Sequence, residues 1–586
     1  MAVKEKSSGF VVNLAIGIKG GPEFSKLKQA CTFPRLSQSR TLRSILEYAR
    51  NTEYGKEHHF SEILDARSEI ELYELYRKYN KPSEYEDFRP YVDRMMKGEG
   101  DVLFPGHPLL YATTSGSSAA PKFVPISEVY LNSIHRKMTL IWSYSFIKCR
   151  PGTFSGKVFN VVGKQAEGHT EDGTLLGSVS NFTARSANPL ILDKYVIPQE
   201  VYSIDDYATR NYVLMRLAIE ADVTLYITPN PSTVVELQNV VDKWLDEFIE
   251  DIGNGTLSHK VDVPQEVRAV VEPLLSPNST RAFELRALQS QYDRVLPKHF
   301  WPNLQVLMTW KCGNTGIYLK QMADFFPDGM AHFELGYFST ECRAGLAIEE
   351  GIDSVPMPHM HFYEFKREKD LDDPDAPFYN LYELKEGERY CPYVTTFSGL
   401  YRYNMNDIIQ IGPAYINAPS FHMVRKANGI VSITGEKLYE EQFITAVNQA
   451  QESTGLKLKY FTGYVNLGKS SYDWYFEFED RKVNQKRAQA FADVVDENLK
   501  KLNIEYESKR NSFRLKAPSV YLLVPDAFDK FKEFILNINH RDASRFKPNV
   551  LAQNEDFHSA INRFRQQIRT RREEKKKRKS KIKDES

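Results

Sequence analysis

The 586-residue sequence has no surplus of either charge: lysine plus arginine and aspartate plus glutamate each number 77. A balanced chain projects no long-range field to gather nucleic acid or acidic partners, so its partner has to be read from a site. Cysteine is scarce. The five present, Cys31, Cys149, Cys312, Cys342 and Cys391, lie far apart with no CxxC spacing, which excludes a disulfide framework and a zinc ribbon and points to a reducing compartment. No run approaches the roughly 20 apolar residues that span a bilayer. Residues 10–18 follow Lys4 and Lys6 but are short for a signal core and lack a small-residue cleavage site, so the cytoplasm is the expected setting. The GxxxxGK[ST] loop, the GxSxG elbow and the HExxH helix are also missing, which sets aside P-loop, α/β-hydrolase and zincin chemistry.

What is present describes an ordinary folded chain, 41% hydrophobic and 26% charged. Its length calls for two or more domains. Residues 39–98 are charged and helical in pattern, with Leu42, Ile45, Leu46 and Tyr48 near one face. Short apolar runs then alternate with turn residues, giving candidate strands at 109–113, 122–126, 157–162, 223–228 and 304–309. Between the last two, Thr233 and Glu236 form a capping-box pair opening a long helix that buries Leu237, Val241, Trp244, Phe248 and Ile252. Strands alternating with helices imply an α/β fold with a parallel sheet. Near Val424 the texture shifts towards a second set of strands and the helix-like DVVDENLKKL. The expected domains are a large amino-terminal one over 1–424, a smaller mobile carboxy-terminal α/β one over 425–562, and a basic tail over 563–586. The tail reads as a solvated helix end or as a weak contact to anionic surfaces, with no specific nucleic acid implied.

Three segments carry chemistry. YATTSGSSAAPKFVPIS, residues 111–127, sets a hydroxyl-rich turn between two strands and follows it with Lys122. Such a turn is a structural device as readily as a phosphate cradle, in which backbone N–H groups and hydroxyls surround phosphate oxygens and the lysine adds a point charge. ELGYFSTECRAG, residues 334–345, offers an aromatic pair to stack on adenine and Glu341 to hold a magnesium ion, or else a salt-bridged strand end. SGLYRYNMNDIIQI, residues 398–411, brings Asp407 into an apolar strand after a polar turn, where a carboxylate can accept ribose hydroxyls or simply shape the turn. His359 and His361 alternate along PHMHF and read as half-buried strand histidines rather than metal ligands, since no third ligand accompanies them.

The three segments in this order closely resemble the adenylate-forming superfamily, and within it the auxin-responsive acyl-acid amido synthetases, the Gretchen Hagen three family with its bacterial members. NTEYGKEHHF, YITPNPSTVVEL and FWPNLQVLMTWKCGNTGIYLKQM extend the likeness over about residues 40 to 560. The resemblance implies a large amino-terminal domain with mixed and parallel sheets flanked by helices, plus a small mobile α/β domain. It implies phosphate-loop roles for Thr114, Ser115, Gly116, Ser117, Ser118 and Lys122. Tyr337 would pack on adenine, with Phe338, Ser339 and Thr340 lining the nucleotide and Glu341 on magnesium. Asp407 and Arg425 would hold the ribose, Gly435, Glu436 and Lys437 match a turn that moves with the small domain, and Lys547 would contact the carboxylate and α-phosphate. The chain departs from the family pattern at Ala119 and Ala120 in the loop, at Phe338 where glycine is usual, and at Asn406 in another glycine position, the mildest change because asparagine visits the left-handed region.

The implied reaction takes a small carboxylic acid and MgATP to an acyl-adenylate, then passes the acyl group to an amine, expected to be an amino acid, giving an amide and AMP. The alternatives are a thiol acceptor such as coenzyme A, or a non-catalytic nucleotide-binding scaffold in which Phe338 and the alanines mark a lapsed site.

Overall fold

A computed structural model of the chain describes residues 2–113, 122–162, 168–177, 179, 189–312, 315–371, 373–427, 430–431, 433, 436, 438–511, 515–531, 550–552 and 561. Its contacts divide it into two units, Met1–Val424 and Arg425–Ser586.

The first unit begins with a helix, Ala2–Thr32, that composition alone does not announce. Val12, Ile16, Phe24, Leu27 and Cys31 are buried along it, and these spacings of three, four and eight fall on one face of a helix. It lies against the helix Arg136–Cys149. Gly20 permits the close approach, because a Cβ there would meet Leu140 O at 2.8 Å. The apolar run at 10–18 therefore belongs to a packed helix. Further helices, Pro34–Ala49, Glu69–Tyr79 and Tyr85–Met95, follow in the expected segment. The Ser68 hydroxyl accepts the Glu71 N–H at 3.1 Å and starts the second of them.

Four strands, Lys157–Asn160, Val223–Ile227, Val306–Thr309 and Ala331–Glu334, form a parallel sheet in chain order. Successive side chains point to opposite faces. Val158, Leu225, Val306 and Met308 join Val12, Ile16 and Phe146 on one side, while Phe159, Tyr226 and Leu307 join Val241, Phe248 and Ile252 on the other. Cover on both faces is what a parallel sheet requires. The long helix runs Pro231–Asn254. It starts on a proline, whose missing N–H would be unpaired there anyway, so Thr233 lies inside the first turn and does not open it.

The first two expected strands belong elsewhere. Leu110–Thr113 and Phe123–Ile126 pair antiparallel, and Leu175–Gly177 runs parallel to the former in a separate mixed sheet. The connection from 114 to 122 is too short for the crossover that parallel neighbours need. A third, antiparallel sheet holds Phe362–Arg367, Arg389–Thr395, Asp407–Tyr415 and Ala418–Lys426. His359 falls in the turn ahead of Phe362–Arg367 and His361 directly before that strand, so the two are not strand histidines. Only strand residues alternate sides, and Met357 and Met360 are spaced as a turn instead.

In the second unit, Leu458–Asn466 and Ser471–Phe478 pair antiparallel, with Ser519–Leu522 and Leu551–Ala552 added parallel at the edges. Every residue of Ser471–Phe478 is buried. Helices Glu440–Thr454 and Gln485–Leu502 lie on this sheet through Phe443 against Trp474 and Phe491 against Phe476. No helix among the described residues is long and apolar enough to cross a membrane.

Candidate active site

The three chemistry-bearing segments meet in the first unit. At the end of Phe123–Ile126, the Ser127 hydroxyl donates to Phe397 O at 2.8 Å and the Ser127 N–H donates to the Ser398 hydroxyl at 3.3 Å, joining the first segment to the third. The Tyr337 hydroxyl donates to Asp407 Oδ2 at 2.6 Å, joining the second to the third. Asp407 itself opens a strand of the antiparallel sheet and is 2% exposed.

Local backbone chemistry explains how Tyr337 reaches that position. Ala331–Glu334 ends on Glu334, whose carboxylate accepts the Lys311 N–H at 2.5 Å and the Gly336 N–H at 3.1 Å. One buried side chain thus satisfies backbone donors at the ends of two adjacent parallel strands, and burial holds its carboxyl above the usual range. Gly336 then takes φ 95°, and a Cβ there would meet Gly345 O at 2.6 Å. Only glycine fits both the left-handed conformation and the approach. Tyr337 is fixed by its N–H to the Ser354 hydroxyl at 3.1 Å and by its ring, edge-on to Phe421 with centroids 5.8 Å apart.

The next residues turn back on themselves. Phe338 pairs with Arg343 in an antiparallel bridge, which is extended backbone and carries none of the left-handed strain that a glycine replacement suggests. The Ser339 hydroxyl accepts the Cys342 N–H at 3.1 Å and donates to Cys342 O at 3.0 Å, closing the turn that bears Thr340 and half-buried Glu341. Asn406 takes φ 52° and directs its N–H to Asn404 Oδ1 at 2.9 Å, the conformation that asparagine tolerates at a glycine position.

Lys122 lies 5.6 Å from the centre of the Tyr85 ring. Tyr85 clamps the start of the same strand, accepting the Phe123 N–H at 2.7 Å and donating to Phe123 O at 3.1 Å. The Tyr403 phenol relates these groups. Burial raises its pKa first, and Glu341, Tyr85 and Asp407 are each close enough to raise it further. Lys122 thus stands beside Tyr85, and the charges of Glu341 and Asp407 both act on Tyr403. Thr114, Ser115, Gly116, Ser117, Ser118 and Lys547 lie outside the described residues, as do Gly435 and Lys437. Arg425 falls on the strand Ala418–Lys426, but its side chain is outside them too. Glu436 is described and buried, accepting the Tyr472 hydroxyl at 2.6 Å.

Glu341 offers one carboxylate beside the hydroxyls of Ser339 and Thr340, and no group of three or more metal-ligating side chains occurs among the described residues. A single carboxylate completed by phosphate oxygens and water is the set magnesium takes, whereas calcium and zinc need several protein ligands. The residues fit magnesium shared with a nucleotide.

Comparison with known proteins decides the family. The GH3 family N-terminal domain matches residues 23–330, its central domain 354–426 and its C-terminal domain 441–556, all in order. The chain belongs to the GH3 family. A GH3 relative from Arabidopsis thaliana, 4-substituted benzoates-glutamate ligase GH3.12, is 27% identical over 443 residues, covering 71% of this chain and 76% of its own. The solved GH3.15 acyl acid amido synthetase shares the fold with a TM-score of 0.78 at 22% identity, over 92% of this chain and 95% of that one. The 2-hydroxyisobutyryl-CoA ligase in its postadenylation state shares it more distantly, with a TM-score of 0.52 at 11% identity over 90% and 91% of the two chains. The mixed α/β architecture is thus that of GH3 proteins and adenylate-forming enzymes. Motif reading passed over Glu334, Arg343 and Tyr403, which lie in or beside these segments. The first two stand inside the quoted ELGYFSTECRAG, where a charged residue flanking an apolar strand end was the available signal.

Proposed function

We propose that this chain activates a carboxylic acid with ATP and transfers the acyl group to an amino acid, giving an amide, AMP and pyrophosphate. In the first step a carboxylate oxygen bonds to the α-phosphorus as the bond to the β-phosphate oxygen breaks. In the second the amine nitrogen bonds to the acyl carbon, AMP leaves, and the amine proton passes to solvent. Support comes chiefly from one observation: hydrogen bonds bring the three nucleotide-type segments together, Ser127 to Phe397 and Ser398, and Tyr337 to Asp407.

Asp407 takes the ribose hydroxyls in this reading, Tyr337 packs on adenine and holds that carboxylate in place, and Phe338, Ser339 and Thr340 line the nucleotide. Lys122 supplies a point charge for the departing pyrophosphate. Glu341 would hold magnesium, which would neutralise phosphate charge when bound. The roles the resemblance gives to residues 114–118, Arg425 and Lys547 are kept as part of the proposal. The names of the GH3 relatives support an amino acid as acceptor. A cytoplasmic setting suits a chain whose five cysteines are free.

The test is acid-dependent exchange of labelled pyrophosphate into ATP, across a panel of alkyl, aryl and indolyl acids. Fixed groups aimed at developing charge are worth about a hundredfold or more each, so Glu341→Ala and Asp407→Ala should each lose at least about that much. Full exchange in both variants sinks the assignment. Product masses with amino acids and coenzyme A supplied together identify the acceptor.

A further inference from the structure

Arg343 lies two residues beyond Glu341 and is 2% exposed. The closed turn brings it back beside Phe338, and its N–H donates to the Tyr130 hydroxyl at 3.1 Å. Its guanidinium stands 4.5 Å from the centre of the Trp142 ring and 5.2 Å from that of Phe338. Nη1 donates to the Thr139 hydroxyl at 3.0 Å, while Nε is buried and meets no acceptor among the described residues.

It makes no ion pair with a carboxylate among the described residues. The Tyr130 phenol beside it is kept protonated by burial. A guanidinium keeps its charge at neutral pH even where it is buried. His135 and His361 lie close by and are held neutral by burial, His135 also by the Arg343 charge. Two ring faces and one hydroxyl replace only part of the hydration a guanidinium loses, and an unpaired buried charge is costly. The rings stand against the planar group, and its unmet Nε is a donor of the kind a carboxylate accepts.

We propose that Arg343 receives a second anionic group on the acid substrate, so that the preferred acids carry a carboxylate besides the one that is activated. This rests on the adenylating function proposed above. The reacting carboxylate loses its charge as the mixed anhydride forms, and a fixed cation against it would favour the ground state over the transition state. An anion at the far end of the acid keeps its charge throughout, and the pair persists through both steps. Arg343 is a specificity residue in this reading.

The test compares matched acids in pyrophosphate exchange: adipate against hexanoate, and terephthalate against 4-methylbenzoate. Wild-type protein should favour the dianion by about tenfold or more in kcat/KM in at least one pair, the scale of a charge-assisted bond to a buried cation. Arg343→Met should bring that ratio near one, retain exchange with the monoanion, and melt no lower than wild type, because the charge it removes has no ion-pair partner among the described residues. Wild-type ratios at or below one in both pairs overturn the inference, and so does a preference that survives Arg343→Met in folded protein. If that variant does not fold, the wild-type ratios alone decide. Exchange with monoanions and no dianion preference rejects only the role of Arg343, whereas no exchange with any acid rejects the adenylating function as well.

Discussion

The hydroxyl of Tyr337 and the carboxylate of Asp407, 70 residues apart, are 2.6 Å from one another. This bond links the end of the parallel sheet to the first residue of an antiparallel strand, so nucleotide-type chemistry and fold integrity share one contact. Tyr337→Phe removes the donor while leaving Asp407 buried. A hydrogen bond to a charged group is worth about 1.5–3 kcal/mol, and a loss of that size should appear in the urea midpoint. In exchange assays the KM for ATP should rise more than kcat falls. Unchanged stability and unchanged KM would mean that the carboxylate needs no such anchor.

Gly336 tests the turn that delivers Tyr337. Gly336→Ala sets a Cβ 2.6 Å from Gly345 O at φ 95°, combining a steric clash with left-handed strain. Gly387→Ala is the control, since its φ is 79° with nothing within 4 Å of the added carbon. The control should cost about 1 kcal/mol from conformation alone, and Gly336→Ala distinctly more. Equal costs would show that the close approach to Gly345 carries no weight.

How far this arrangement could be read from residue order differs from place to place. Short apolar runs give the strands Val223–Ile227 and Val306–Thr309, because a strand buried on both faces is such a run bounded by turn residues. It does not say which sheet a strand joins. Leu110–Thr113 is as apolar as they are and pairs antiparallel in another sheet, a choice made by the length of the connection. Helix Ala2–Thr32 is hidden for a different reason. Phe10, Val11, Leu14 and Ile18 are exposed on it while Val12 and Ile16 are buried, so apolar residues surround the helix and blur the periodic signal. In the candidate site, hydroxyls and carboxylates at motif spacing were legible at Glu341 and Asp407. Arg343 was not, because its burial and its contacts depend on residues 130 to 142 folding against it.

Glu334 separates charge from shape. Its two oxygens accept the N–H groups of Lys311 and Gly336, and Glu334→Gln keeps the size but turns one acceptor into a donor. One backbone N–H is then left facing an NH2 group in a buried setting, at a cost of about 1–3 kcal/mol. Thermal midpoints should fall accordingly, with pyrophosphate exchange falling further than for a control of equal stability loss, since the displaced strand end carries Tyr337. A variant as active as wild type would detach Glu334 from the site.

Buried histidines set the response to acid. Burial is the first cause in lowering His332 to about 4, His359 to about 4 and His361 to about 3, and it lowers His135 as well. An unfolded histidine titrates near 6.5. Below that pH the unfolded chain binds protons that the folded chain refuses, so stability is full above about 6.5 and is lost as pH falls towards the folded values. Each such histidine contributes a slope of about 1.4 kcal/mol per pH unit across that interval. Glu334 and Glu477 act in the opposite sense, because burial raises both; their contribution is present below the unfolded carboxyl value and is lost as pH rises through the folded one. The histidine effect is therefore cleanest between about pH 6.5 and 5. Urea midpoints measured from pH 7.5 to 5 should hold steady at first and then decline, and His361→Gln should flatten the decline by about one histidine's slope. Midpoints that stay level to pH 5, or a slope untouched by His361→Gln, would require these imidazoles to be open to solvent in the folded chain.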